Sequence, residues 1–210
     1  ATPIGVATAV FLVELSPKWV SEIAKPIMEL AASIPSVVYG VFGLVFLVPM
    51  VSSVLGTTCG KLAITASLLL SIMVLPTIVG ISSEALAMVP KDYKWASMAL
   101  GASKWRTIKD VVLPSAAPGI ATSVVLGLAR VAGETAALLF TCSALTGGVP
   151  ATPLEPVLTL TYYIFALVVA VPVDSTDRAL AAAFVLFILV LALSSAAYAT
   201  RVYYKRKWRW

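Results

Sequence analysis

Two charged side chains, Arg130 and Glu134, stand four residues apart inside an otherwise apolar run from Gly119 to Leu145. On a continuous helix that spacing places both on one face near the middle of the run. Two chemistries suit the pair. As an ion pair it would lock neighbouring helices, because burying paired charges costs less than burying either alone. As a binding element, the guanidinium would offer a planar fork of donors to an oxyanion in transit, while Glu134 holds it and keeps the affinity low enough for release. The two readings are compatible.

Other chemistry is thinly represented. The chain has no histidine, so it lacks the commonest general base and the commonest neutral metal ligand. Its two cysteines, Cys59 and Cys142, have no metal-like spacing and read as packed free thiols rather than a disulfide. No Gly-x4-Gly-Lys-Ser/Thr loop occurs, so nucleotide is bound elsewhere if it is used at all. No catalytic residue, metal site or cofactor is expected. Glu84 lies shortly before Pro90 and reads as a helix-end or snorkelling residue, and Pro76 as a kink. Gly40 and Gly43 are placed to allow close helix packing.

A second informative segment is the polar, basic island from Trp95 to Pro114 between two long apolar runs. Pro90 closes the helix before it, and Pro114 with Pro118 delay the next, which leaves room for two short amphipathic helices with Gly101 between them. Without a Cβ, Gly101 permits a sharp bend or a close approach. Tyr93, Trp95, Met98, Leu100 and Trp105 offer apolar knobs beside Lys94, Lys104 and Arg106. That composition suits docking in a groove of a soluble partner, or an amphipathic loop lying on an anionic leaflet.

The elements that must position these groups are membrane helices. Hydrophobic residues make up 60% of the chain, charged residues 12%, and the mean hydropathy is +0.99, beyond the usual range of a soluble domain. A span needs about 20 apolar residues, and a helix satisfies its own backbone in lipid. Five segments qualify or nearly do: Pro3 to Leu15, Pro35 to Leu55, Leu62 to Val89, Gly119 to Leu145 and Ala179 to Ala199. The first is short and reads as a helix whose beginning lies outside this sequence. The apolar run Val157 to Val171 is fenced by Pro156 and Pro172 and is too short to cross. It is expected as a re-entrant or interfacial helix within an external connection over 146–178.

Orientation follows from the cations. If the central loop is cytoplasmic, that side collects Lys18, Lys25, Lys91, Lys94, Lys104, Arg106, Lys109, Arg201, Lys205, Arg206, Lys207 and Arg209. The other side keeps Lys61 and Arg178, a bias of twelve to two that accounts for the net charge of +5 without nucleic acid. The tail from Tyr203 to Trp210 reads as an anchor in membrane lipid, with aromatics at headgroup depth.

The island's spacing, Ala-Ser-x3-Gly-x9-Val-x-Leu-Pro, resembles the EAA motif of ABC-importer permeases, with Trp95 where the motif's glutamate is expected. Two further stretches, Ile34-Pro-Ser-Val-Val-Tyr-Gly40 and Arg130-Val-Ala-Gly-Glu-Thr-Ala-Ala-Leu-Leu-Phe-Thr141, resemble the Pst-type phosphate permeases. The second is closer to the PstA-like pattern than to the PstC-like one. The resemblance implies an all-α type I importer (MetI-like) transmembrane domain over 1–210, holding about five of six helices. It implies a cytoplasmic coupling loop over 90–115, with Trp95, Ala96, Ser97, Gly101, Ala102, Trp105, Leu113 and Pro114 meeting the ATPase. It also implies a substrate pathway through Arg130, Glu134 and Thr135. The implied partners are two cytoplasmic ATP-binding subunits, a sister permease forming a heterodimer, and an extracytoplasmic phosphate-binding protein, at a prokaryotic plasma membrane. A permease for another oxyanion, such as sulfate or molybdate, would share the loop but not the Arg130 to Thr141 pattern. A channel or secondary carrier would carry the loop by coincidence and would work from an ion gradient without a nucleotide-binding partner.

Overall fold

A computed structural model of the chain describes residues 1–142, 150–169 and 176–207. Every regular element among them is helical. In chain order they are α1 (Thr2–Leu15), α2 (Lys18–Ser33), α3 (Ser36–Leu55), α4 (Ala63–Ala87) and α5 (Lys91–Ala99). There follow α6 (Lys104–Ala132), α7 (Ala136–Thr141), α8 (Leu160–Val169) and α9 (Thr176–Lys207). Four of them, α3, α4, α6 and the Thr176–Ala196 part of α9, are long and apolar enough to cross a membrane. As expected, α1 and α8 are shorter. Only 11% of the α9 window is buried within the chain, so its apolar side chains face outward, as lipid solvent permits.

Proline sets the local geometry of three helices. The turns Phe11–Leu15, Gly43–Leu47 and Ile108–Val112 are π-helical, and two residues after each stands a proline: Pro17, Pro49 and Pro114. Proline has no N–H, and its ring collides with the carbonyl four residues back. Inside α3 and α6, one wide i→i+5 turn just before Pro49 and Pro114, closed for example by the Leu113 N–H on the Ile108 carbonyl, relieves both problems, whereas α1 stops at Leu15 and Ser16 is extended ahead of Pro17. This corrects the expectation that Pro114 and Pro118 delay the helix. Both lie inside α6, which starts at Lys104, so a single amphipathic helix, α5, precedes the span.

A further correction concerns the fourth span. A continuous helix over Gly119 to Leu145 is not what forms: α6 ends at Ala132, and α7 begins at Ala136. Residues 143–145 lie outside the described residues, as do 146–149 and 170–175 of the external connection and Trp208 to Trp210 of the basic tail. Helix α2 was not anticipated at all. Its apolar residues recur at helical spacing, but the segment is too polar to stand out as a span.

The chain forms two compact units. The first contains 1–33, 74–128 and the described residues from Leu193 onward. Its seam is a small-residue stripe on α6. Gly119 faces Ala85, where an added Cβ would come within 2.3 Å of the alanine Cβ, and Gly127 lies against Val74 and Ile78. Between them, the fully buried hydroxyls of Ser123 and Ser82 bond at 2.8 Å. Small side chains let the backbones approach, and the hydroxyl pair links helices where no water competes. Around this seam Ala9, Val10, Leu86, Val89, Ile108 and Val112 form a core.

The second unit contains 34–73 and the described residues of 129–192. Leu47, Leu69 and Ala137 form one core cluster with Tyr39, and Ala66, Leu138 and Cys142 form another with Val157. The first backbone donors of α4 are satisfied from the connection: Ala63 N–H donates to the Glu155 carbonyl at 3.0 Å, and Ile64 N–H to that of Pro153 at 2.9 Å. Both cysteines are free thiols, as expected, but only Cys142 is packed, and Cys59 is exposed.

Candidate functional site: a broken helix and an exposed docking segment

The interruption after α6 reorders the charged pair. Arg130 sits in the last turn of α6, and Glu134 lies in the non-helical link Gly133-Glu134-Thr135. They do not share a helical face. Glu134 turns to the start of α7, where its Oε1 accepts a hydrogen bond from the Ala137 N–H at 3.4 Å. Glycine and β-branched threonine are poor helix formers, which is why the chain breaks here rather than within Ala-rich sequence on either side.

A broken helix leaves carbonyls without partners, and these must find others. The Glu134 carbonyl accepts from Thr161 Oγ1 of α8 at 2.9 Å. Thr161 is itself buried and was not singled out from sequence. Its hydroxyl lies in an otherwise apolar helix, and that was the available signal. Beside the break opens a cavity of about 470 Å³, whose lining includes Thr135, Thr161, Ile164, Phe165 and Phe187.

The position of α7 is set by α3. A Cβ on Gly40 would fall 2.7 Å from a Phe140 ring carbon, 3.0 Å from the Ala136 carbonyl oxygen and 3.2 Å from the Ala137 Cα. One on Gly43 would fall 2.7 Å from the Thr141 methyl. Gly40 and Gly43 therefore serve close packing, as read from sequence. More usefully, the Ile34 to Gly40 stretch and the Arg130 to Thr141 stretch, far apart in the chain, meet here.

The central segment is built differently. Helix α5 ends in a Schellman motif: Ala102 N–H donates to the Ser97 carbonyl at 3.2 Å and Gly101 N–H to that of Met98 at 3.0 Å. Gly101 has φ +85°, and open space surrounds its Cβ position. The bend uses this positive φ, and within the chain nothing approaches the Cβ position closely. Ser103 then caps α6 by accepting from the Arg106 N–H at 3.3 Å. Ser97 Oγ and Thr107 Oγ1, 3.0 Å apart, tie the two helices together.

Outward from this frame stand Trp95, Trp105 and Leu100, which are 60, 63 and 89% exposed, with Met98 beside them in sequence and also exposed. Ala96, Gly101 and Pro114 are exposed as well, while Ser97, Ala102 and Leu113 are half-buried. Lys94 departs from expectation. It does not join the outward basic group but turns in to Glu14 at 2.5 Å, and both side chains are largely shielded. Glu14 was missed because a carboxylate closing an apolar run resembles a helix-end residue. Arg106 pairs with Asp110 at 3.4 Å on the open surface, a contact of little energetic weight.

Comparison with known proteins agrees with this architecture. The chain is 44% identical over 138 residues to "Probable ABC transporter permease protein YqgH" of Bacillus subtilis, covering 66% of this chain and 45% of that one. It is 32% identical over 192 residues to "Probable phosphate transport system permease protein PstA" of Methanocaldococcus jannaschii, covering 91% and 66%. It is 34% identical over 159 residues to "Phosphate transport system permease protein PstC" of Haemophilus influenzae, covering 67% and 50%. The chain thus spans about half the length of the curated relatives it matches. Among solved structures, a bacterial alginate ABC transporter in complex with an alginate pentasaccharide-bound periplasmic protein superposes with a TM-score of 0.61 at 15% identity. That match covers 93% of this chain and 70% of the other, a likeness of fold. The family model for the inner membrane component of binding-protein-dependent transport systems matches residues 1–208, and the chain belongs to that family, as a multi-pass membrane permease with the MetI-like fold.

Proposed function

We propose that this chain is a translocating permease subunit of an ATP-driven importer that carries inorganic phosphate across the plasma membrane. The reading rests on family membership together with relatives named for phosphate transport. The observation that bears on particular residues is the helix break, which ends α6 just after Arg130 and puts Glu134 and Thr135 in a non-helical link. Arg130 meets the anion with its guanidinium fork. Glu134 holds the start of α7, with Thr161 bracing the link from α8, and Thr135 lines the cavity beside it. Discontinuous helices are a recurrent way to present polar groups along a membrane pathway.

Coupling is assigned to the segment over 90–115. Its exposed Trp95, Leu100 and Trp105 on a frame stiffened by the Schellman motif suit a groove on one of two cytoplasmic ATP-binding subunits. A sister permease and an extracytoplasmic phosphate-binding protein complete the assembly. The Glu14 to Lys94 bond supports the orientation, since it draws the end of α1, and hence Lys18 and Lys25, to the membrane face of the central segment. On this reading that face and the C-terminus are cytoplasmic, and the 146–178 connection is external.

The test separates an anion contact from a structural charge. Arg130→Leu, alone or with Glu134→Leu, should assemble with its ATPase partners yet take up no phosphate, and Arg130→Lys should retain partial uptake because charge survives without the fork. Wild-type phosphate uptake by the double variant would refute the pathway role.

A further inference from the structure

We propose that α2 is an in-plane membrane-interface helix whose stripe of Trp19, Ile23, Ile27 and Leu30 is seated in lipid, on the membrane face that carries the central basic segment. The inference needs only the multi-pass character of the chain, not its substrate.

Sixteen residues make α2, and none of them is buried. At about 100° per residue, its side chains fall into three sectors around the axis. Lys18, Glu22, Lys25 and Glu29 share an arc of about 60°. Trp19, Leu30, Ile23 and Ile27 occupy the next arc, of about 80°, and all four are exposed. Val20, Ala24 and Met28 follow, and these are half-buried against the chain. The order around the helix is water, apolar and exposed, then protein. A helix at the junction of solvent, bilayer and protein requires that order. Trp19 lies at the edge of the apolar arc next to the charges, where an indole meets headgroups.

The location of α2 is constrained at both ends. It starts three residues after Leu15, and Glu14 is bonded to Lys94 of α5, so α2 begins where the central segment emerges. Three residues after its end, the membrane-length helix α3 begins. A helix of about 24 Å tethered in this way cannot leave the membrane surface, and its exposed apolar arc has the acyl boundary within reach. Two lysines and two glutamates cancel. The occupant is therefore the apolar boundary of the bilayer, not an anionic headgroup layer.

Spin labels test this on the assembled transporter in phosphatidylcholine vesicles. Single cysteines at 19, 23, 27 and 30, and at 18, 22, 25 and 29, are labelled in a background lacking Cys59 and Cys142, and each variant is checked for intact assembly. Collision with oxygen should exceed collision with a water-soluble nickel chelate several-fold at the first set, and the reverse should hold at the second, with a helical period. Adding phosphatidylglycerol should leave the ratios unchanged. High nickel access along the stripe would overturn the proposal by placing it in water. Low access to both reagents would overturn it equally, by placing the stripe against another protein subunit.

Discussion

Two interruptions bracket α6, and they are closed by different means. At Gly101 the ends are satisfied locally: the Schellman bonds span the six residues from Ser97 to Ala102, and Ser103 caps the next helix. At Gly133-Glu134-Thr135 closure needs a carboxylate from the link itself, a hydroxyl from α8 and a backbone platform from α3. The first lies among exposed charged residues, where water can solvate any spare group. The second ends an apolar run, where a spare carbonyl or N–H has few alternatives and protein groups must supply the partners. A water-side break can therefore be local, whereas one that terminates a membrane helix recruits the fold.

The comparison would break most visibly at Gly40. Gly40→Val should destabilise the permease by about 1–3 kcal/mol, because the nearest atoms include the Ala136 backbone, which cannot move without moving the break. A lowered thermal midpoint in detergent checks this, and an unchanged midpoint would mean that α3 does not hold α7. Next in size is Thr161→Val, which keeps the shape but removes the donor to the Glu134 carbonyl. A loss of about 1–3 kcal/mol is expected, nearer the lower figure if a water reaches the site. Hydrogen exchange at the start of α7 should accelerate, while that of α5 stays as it was.

The local break should respond to conformation alone. Gly101→Val places a β-branched residue at positive φ and should cost about 1–2 kcal/mol, whereas Gly101→Asn should be close to neutral, since open space surrounds the position. Equal behaviour of the two variants, read from thermal midpoint and ATPase co-purification, would remove the case for a purely conformational role. Smallest of all is Arg106→Ala. Its ion pair with Asp110 is exposed on both sides, so stability should change by no more than about 0.5 kcal/mol. Any larger effect confined to ATPase binding would instead mark Arg106 as a contact with the partner.

Much of this molecule was legible before its structure. Membrane helices follow from long apolar runs because lipid leaves the backbone no other solution, and three of the four spans lie close to the segments expected, the exception being Lys104–Ala132. The bend at Gly101 was readable because a helix stop of this kind is written in neighbouring residues. The stripe Gly119, Ser123, Gly127 also stood in the sequence, but the facing residues Ala85, Ser82 and Ile78 did not.

What resisted reading has a common cause. Spacing alone put Arg130 and Glu134 on one face, because a weak helix stop inside an apolar run is outweighed by periodicity. Lys94 looked like part of a basic surface until Glu14, 80 residues earlier, took it inward. Proline suggested a delayed helix at Pro114, yet a π-turn absorbed it. Composition and local pattern, which act over a few residues, determined the membrane setting, the helices and the first break. Tertiary structure alone decided which buried donors and acceptors were to meet, since an unpaired polar group away from water is costly and its partner can come from anywhere in the fold.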